Sequence, residues 1–324
     1  MKPMALLAGV LWTVAVTAAP SVPTRPDTIR VLWRDPGPIG AKDLYWGAGS
    51  ADGAPAPPFT FVREDTSGTK PKIEVTDAEG AEWTIKLAPA SPADNEVHAE
   101  IAASRLIWAF GFFVDENYFV REGKIENVQK LTRAADLVGP DGTFRTARFE
   151  RRVRGGERRG NWDVENNPFN HTKELSALKI LIVLVGNWDA RAENAAILRL
   201  PRTDGDVEER YVLSDLGTAF GRWAGGFQKK HSRWNLSDYR ESRFLNGIVM
   251  NRLEFRYPLM STERVAVPVD HARWFATLAS QLTPAQIRKA FEASGASPAE
   301  VEGFSAEVGY RFEAIRAVLA GRKD

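Results

Sequence analysis

Gly186-Asn187-Trp188-Asp189-Ala190-Arg191-Ala192-Glu193-Asn194, followed by Ser214-Asp215-Leu216-Gly217-Thr218-Ala219-Phe220-Gly221, decides how the rest of the chain is read. Asp189 and Asn194 stand five positions apart, and Asp215 opens an Asp-x-Gly turn. Together they offer one carboxylate to orient a nucleophile and two oxygen ligands for a hard cation. Asp and Asn also favour plain turns, and Asp-x-Gly often ends a strand. The order of the surrounding elements separates the two readings. Lys173 to Val185 has an apolar helical period at Leu175, Leu178, Ile182 and Val185, with Thr172 as N-cap. Ala195 to Leu200 reads as a strand, Pro201, Asp204 and Gly205 as a turn, and Arg210 to Leu213 as the return strand. Such a hairpin carries Asp215 back beside the loop that holds Asp189 and Asn194.

Upstream, Trp83-Thr84-Ile85-Lys86-Leu87 is a β-type run with a single lysine, which alternation places opposite Ile85 and Leu87. Phosphoryl transfer needs little covalent help: a carboxylate to orient the attacking hydroxyl, oxygen ligands for magnesium and a cation on the phosphates. Lys86 suits the last part, although a solvated edge-strand lysine has the same appearance. Asn95 to Gly111 reads as a helix, with apolar positions at Val97, Ile101, Leu106 and Phe110 and Gly111 as terminator. Glu96 and Glu100 lie one turn apart on it. Either could orient Lys86, and Glu100 is the more interior. Before the strand lies Ser67-Gly68-Thr69-Lys70-Pro71-Lys72, whose amides and two lysines could cradle phosphates, though it is no Walker A sequence.

These motifs resemble the protein-kinase-like superfamily, closest to HipA-type and related atypical bacterial kinases, over roughly Asp65 to Gly221. Gly68-Thr69-Lys70-Pro71-Lys72 is similar to the family's Gly-x-x-Pro-Lys turn, and Lys86 to its strand lysine. Glu100, eleven positions before Gly111, is similar to its helix acid. Gly186-Asn187-Trp188-Asp189 with Asn194 resembles its catalytic loop, and Asp215 its later metal-binding Asp. One departure is Arg191, where HipA-type loops usually have His. The resemblance implies an α+β, two-lobed kinase-like fold, with a β-rich N-lobe with one helix over 20–159 and a mainly helical C-lobe over 160–324; residues 1–19 read separately as a leader. It also implies a phosphotransferase using ATP or another nucleoside triphosphate with Mg²⁺ or Mn²⁺. Gly68, Thr69, Lys70, Lys72, Lys86 and Glu100 would bind the nucleotide, Asn194 and Asp215 the metal, and Asp189 would act on a hydroxyl-bearing acceptor of unidentified class. Two alternatives stand beside it: a non-enzymatic exported pseudokinase, and another nucleotidyl transfer at the same metal site.

The chain has 324 residues, 44% of them hydrophobic, with 10 Trp, enough for a substantial core. Its net charge of +1 gives no reason to expect nucleic acid. The four scattered His and the absence of Cys exclude zinc ribbons, thiol catalysis and disulfides. Arg145 to Arg159 holds seven arginines and reads as a solvated strand and loop, with docking of an acidic substrate as the functional alternative. Lys2, the apolar run from Met4 to Val16 and the small residues after it read as a secretory signal peptide rather than a spanning helix. The expected location is periplasmic or secreted, with no integral membrane segment once the leader is cleaved, or membrane-anchored if it is kept. Arg222 to Asp238 reads as a long surface loop, the activation segment on the kinase reading. The C-terminal third reads as helical, with starts at Thr283-Pro284 and Ser297-Pro298-Ala299-Glu300 and an apolar stripe from Phe304 to Leu319.

Overall fold

The computed structural model describes residues 27–67, 70–88, 95–153, 155–223, 231–242, 244–256 and 265–321. The leader reading, Gly68 and Thr69 therefore lie outside the described residues. The first half runs β1 (Thr28–Val31), β2 (Phe59–Asp65), β3 (Lys72–Thr76), β4 (Glu82–Leu87), α1 (Glu96–Ala109), β5 (Phe113–Val114), β6 (Asn117–Glu126), β7 (Thr143–Arg151) and β8 (Glu157–Asn161). The second runs α2 (Lys173–Val185), β9 (Ala195–Pro201), β10 (Val207–Leu213), α3 (Leu236–Glu241), β11 (Leu245–Val249), β12 (Arg252–Phe255), β13 (Val265–Pro268), α4 (Val269–Ala279), α5 (Pro284–Ala293) and α6 (Pro298–Ala320).

Five strands close into a barrel in the order β2-β3-β4-β7-β6, the last joining the first in parallel through Phe59↔Ile125 and Thr60↔Glu126. Ile73, Val75, Trp83, Ile85, Leu87, Phe144 and Phe149 belong to its buried core. Alternation then leaves Lys86 on the outer face, and α1 covers that face. Lys86 is accordingly buried, at 3% exposure, and is not an edge-strand lysine: β4 is paired by β3 on one side and β7 on the other.

A second sheet has the order β1-β10-β9-β8, with β5 also on β10. β1 pairs in parallel with β10 and lies outside the barrel. The β9–β10 hairpin runs in antiparallel register from Val207↔Pro201 to Leu213↔Ala195, so its open end brings the start of β9 beside the end of β10. The larger core lies around α1, α2, α4, α5 and α6 and includes Leu106, Phe110, Ile180, Phe220, Phe275 and Phe304.

Helix ends follow the sequence closely. Thr172, Thr283 and Ser297 each cap the helix expected of them, and the last two close full capping boxes. Gly111, at φ 90, takes the left-handed turn after α1. Two expectations are corrected. The C-terminal third is not helical throughout, because β11, β12 and β13 form a three-stranded antiparallel sheet. Its first turn has two residues, Met250 (φ 44) and Asn251 (φ 62), both left-handed as a primed hairpin requires. The described parts of the span Arg222 to Asp238, residues 222–223 and 231–238, are also more than a surface loop. Trp234 is 3% exposed and stacks near Phe304 in the core, and Asn235 caps α3. An indole of that size is worth more buried than left in water.

Candidate active site

A cavity of about 640 Å³ opens between the barrel's outer face and the β8–β9–β10 sheet. That is the size of a small-molecule site. Lys70, Lys72 and Lys86 line one side, and Asp189, Asn194 and Asp215 line the other. The folded chain thus brings together every described residue of the sequence-derived set. Local structure explains the convergence. Gly186 ends α2 at φ 68 and turns the chain into the polar loop. Asn187 accepts a short hydrogen bond from the Thr218 hydroxyl, which ties the loop to the segment after Asp215. Asn194 closes a 3₁₀ turn, donates from Nδ2 to the Asp189 carbonyl at 2.7 Å, and accepts at its own carbonyl from the amides of Ser214 and Asp215. Among the described residues no hydrogen bond occupies its side-chain oxygen.

Lys86 Nζ lies 2.9 Å from Glu100 Oε2, 3.7 Å from Asp215 Oδ1 and 3.9 Å from Glu96 Oε1. The geometry resolves the choice between the two acids of α1 in favour of Glu100. Glu96 instead meets Lys70 at 3.6 Å and also pairs with Arg233, tying the end of α1 to the turn before β3 and to the segment before α3. Burial alone would lower the Lys86 pKa, but Glu100 and then Asp215 outweigh it and lift it to about 12. Burial would raise Asp215, yet Lys86 and Arg148 hold its carboxyl below the usual carboxylate range. It is therefore an ionised oxygen donor near neutral pH. Lys72 faces Lys86 directly across β3 and β4. Like charges so placed repel, and an anion between them would reverse the sign.

Arg148 was read among solvated arginines, and this is corrected: it is 2% exposed, ion-pairs with Glu100 and Glu150, and lines the cavity. Burial lowers its pKa, but Glu100 and Glu150 more than offset that and raise it. Burial raises Glu100 itself against the pull of Arg148 and Lys86. The signal was in the register: Arg148 neighbours Phe149 in sequence and pairs with Lys86 across the strands, so it shares the covered outer face. Asp115 was also missed. It follows β5, lines the cavity, and burial with Glu150 nearby pushes its carboxyl well above the ordinary range. No motif marks it, because β5 has only two residues. Arg191 holds the Asp189 carboxylate with two nitrogens, and that hydrogen bonding raises its own pKa.

No protein-family model and no curated protein matches the chain. Among solved structures, the chain is similar to the Helicobacter pylori proinflammatory kinase CtkA. The TM-score is 0.51 at 12% identity, over 82% of this chain and 98% of that one. The fold is kinase-like. A crystal structure of the Golgi casein kinase with Mn/ADP bound also aligns, at TM-score 0.38 and 13% identity, over 83% of this chain and 74% of that one. The likeness extends to a mixed α+β architecture. It does not single out the HipA type.

Proposed function

We propose that the chain is a kinase-like phosphotransferase that moves a phosphoryl group from a nucleoside triphosphate to a hydroxyl acceptor. The observation that carries this reading is the Lys86–Glu100 pair facing Asp215 across one cavity, with Asn194 and Asp189 beside it. On this reading the molecule is two-lobed, the barrel and α1 covering the nucleotide and the helical part carrying the polar loop. Lys86, held by Glu100, takes the α- and β-phosphates. Lys70 and Lys72 add positive charge at that end of the cavity.

Asp215 and Asn194 suit Mg²⁺ or Mn²⁺, since a carboxylate and an amide oxygen are hard donors. Among the described residues no group of three or more His, Cys, Asp or Glu forms a complete metal cage. A cation bound together with phosphate and water needs only a few oxygens from the protein. Such a cation, when bound, supplies charge neutralisation to the transferred group. The rest falls to the chain. Asp189 orients the acceptor hydroxyl and takes its proton as the new O–P bond forms and the bond to the leaving nucleoside diphosphate breaks. Arg191 holds the Asp189 carboxylate with two nitrogens and so fixes its orientation.

The same Arg191 clamp favours a second reading, a module that holds nucleotide without turning it over. Melting temperature measured with ATP, with and without Mg²⁺ or Mn²⁺, tests the site, because a ligand bound only by the folded state raises it. A metal-dependent rise that Asp215→Ala abolishes is expected. No rise with any nucleotide would overturn the reading. Asp189→Ala is expected to keep that rise and to lose phosphate transfer from γ-labelled ATP. A wild-type protein that binds but never transfers would establish the second reading, and an AMP adduct in place of phosphate would identify nucleotidyl transfer.

A further inference from the structure

The inner wall of the cavity carries two polar atoms that the mechanism above does not use. Asp115 Oδ2 and Arg148 Nε are both buried and have no hydrogen-bond partner among the described residues. Both residues line the cavity. Their positions are fixed by the fold. The parallel pairing Leu213↔Val114 carries Asp115 alongside Ser214, and the rest of the Arg148 guanidinium is held by Glu100 and Glu150. A buried acceptor and a buried donor, each unmade, cost free energy that a ligand with the complementary pair would recover. A donor brought to Asp115 would also favour its ionised form, which burial now opposes.

The same cavity has an apolar stretch, formed by Ala196 and Leu198 of β9 and Val212 of β10. Ala196 and Leu198 lead away from Asn194 along β9, so this stretch is distinct from the metal and phosphate end. That stretch offers an apolar face to a flat heterocycle.

Resting on the nucleotide reading, we propose that Asp115 and Arg148 recognise the base: Asp115 Oδ2 accepts an N–H from the ring edge, and Arg148 Nε–H donates to the acceptor next to it. Adenine meets this with its amino group and N1, and guanine with N1–H and O6. The recognition is by side chains of the inner wall, so it depends on the base and not on the phosphates.

Calorimetric titration of the purified protein with ATP, GTP and purine ribonucleoside triphosphate, each with Mg²⁺, decides the matter. The last has the acceptor nitrogen but neither the amino group nor an O6/N1–H pair. The wild type is expected to bind ATP or GTP about tenfold or more tighter than the purine analogue, the worth of a buried hydrogen bond to a charged group. Asp115→Ala is expected to weaken the preferred nucleotide to the level of the analogue and to leave the analogue unchanged. Equal affinity for all three in the wild type overturns the proposal whether or not the variant folds. So does a preference that survives Asp115→Ala. Binding of none of the three overturns the nucleotide reading itself, a result separable from binding without discrimination.

Discussion

Glu100 is 1% exposed and has a cation on each carboxylate oxygen, Lys86 on one and Arg148 on the other. Removing one partner of a buried pair leaves the remaining charge without compensation, which costs about 3–5 kcal/mol, whereas replacing partners together by apolar groups is often neutral. Arg148→Met is therefore expected to lower unfolding free energy by that amount in urea. Adding Glu150→Leu, which removes the other carboxylate that Arg148 pairs with and keeps Glu100 on Lys86, should recover part of the loss. Linkage sets the pH behaviour of the same cluster. The folded pKa of Lys86 is raised to about 12, so its contribution is fully present below its unfolded value of about 10.4 and lost as pH rises through the folded one. Asp215 is lowered, so its contribution is present above about 3.9 and lost as pH falls through its lower folded value. Asp215→Asn is expected to flatten the stability profile on the acid side and to leave the alkaline limb to Lys86. An unchanged acid limb in that variant would show that Asp215 is not held low by its neighbours.

At the scale of elements, the sequence was most legible where local chemistry is self-contained. The capped starts at Thr172, Thr283 and Ser297, the β9–β10 hairpin and the helix-ending Gly111 all follow from residues within a few positions of each other. The sheet of β11, β12 and β13 was not legible, because its first turn is Met250-Asn251 with no glycine and each strand has only four or five residues. Barrel closure was hidden for another reason: β2 meets β6 across more than 50 residues, and no local signal reports such pairing. The candidate site divides the same way. Asp189, Asn194, Asp215, Lys86 and Glu100 sit in motifs, whereas Arg148 and Asp115 acquire their surroundings only when α1 and β5 pack. Gly111 joins element to site, since it ends the helix that carries Glu100. A Cβ there would lie 2.1 Å from the Arg34 carbonyl, in addition to the strain at φ 90. Gly111→Ala is expected to cost at least about 1–2 kcal/mol by chemical denaturation, and a variant as stable as the parent would show that the turn relaxes freely.

At the scale of the whole molecule, the cavity has two walls, the barrel's outer face and the loop and sheet around β9 and β10. Few direct ion pairs cross it at the proposed phosphate end, Lys86 to Asp215 at 3.7 Å being one. Lys72 and Lys86 repel each other on one wall, while Asp189 and Asp215 place negative charge on the other. On the proposed function, a triphosphate with its divalent cation would satisfy both walls at once, the lysines facing the phosphate oxygens and the carboxylate and amide available to the cation. Such a ligand ties the walls together rather than stiffening one of them. Hydrogen exchange is the measurement, because protection reports the free energy of local opening segment by segment. Mg²⁺ with ATP is expected to slow exchange of β3–β4 amides and of the Asn194 and Ser214–Gly217 amides together, in proportion to ligand occupancy. Asp215→Ala should remove both effects, since the barrel side then keeps its lysines but loses the cation that connects them to the opposite wall. Protection confined to the barrel would mean that the anion binds without the metal end, and the bridging role assigned to Asp215 and Asn194 would fall.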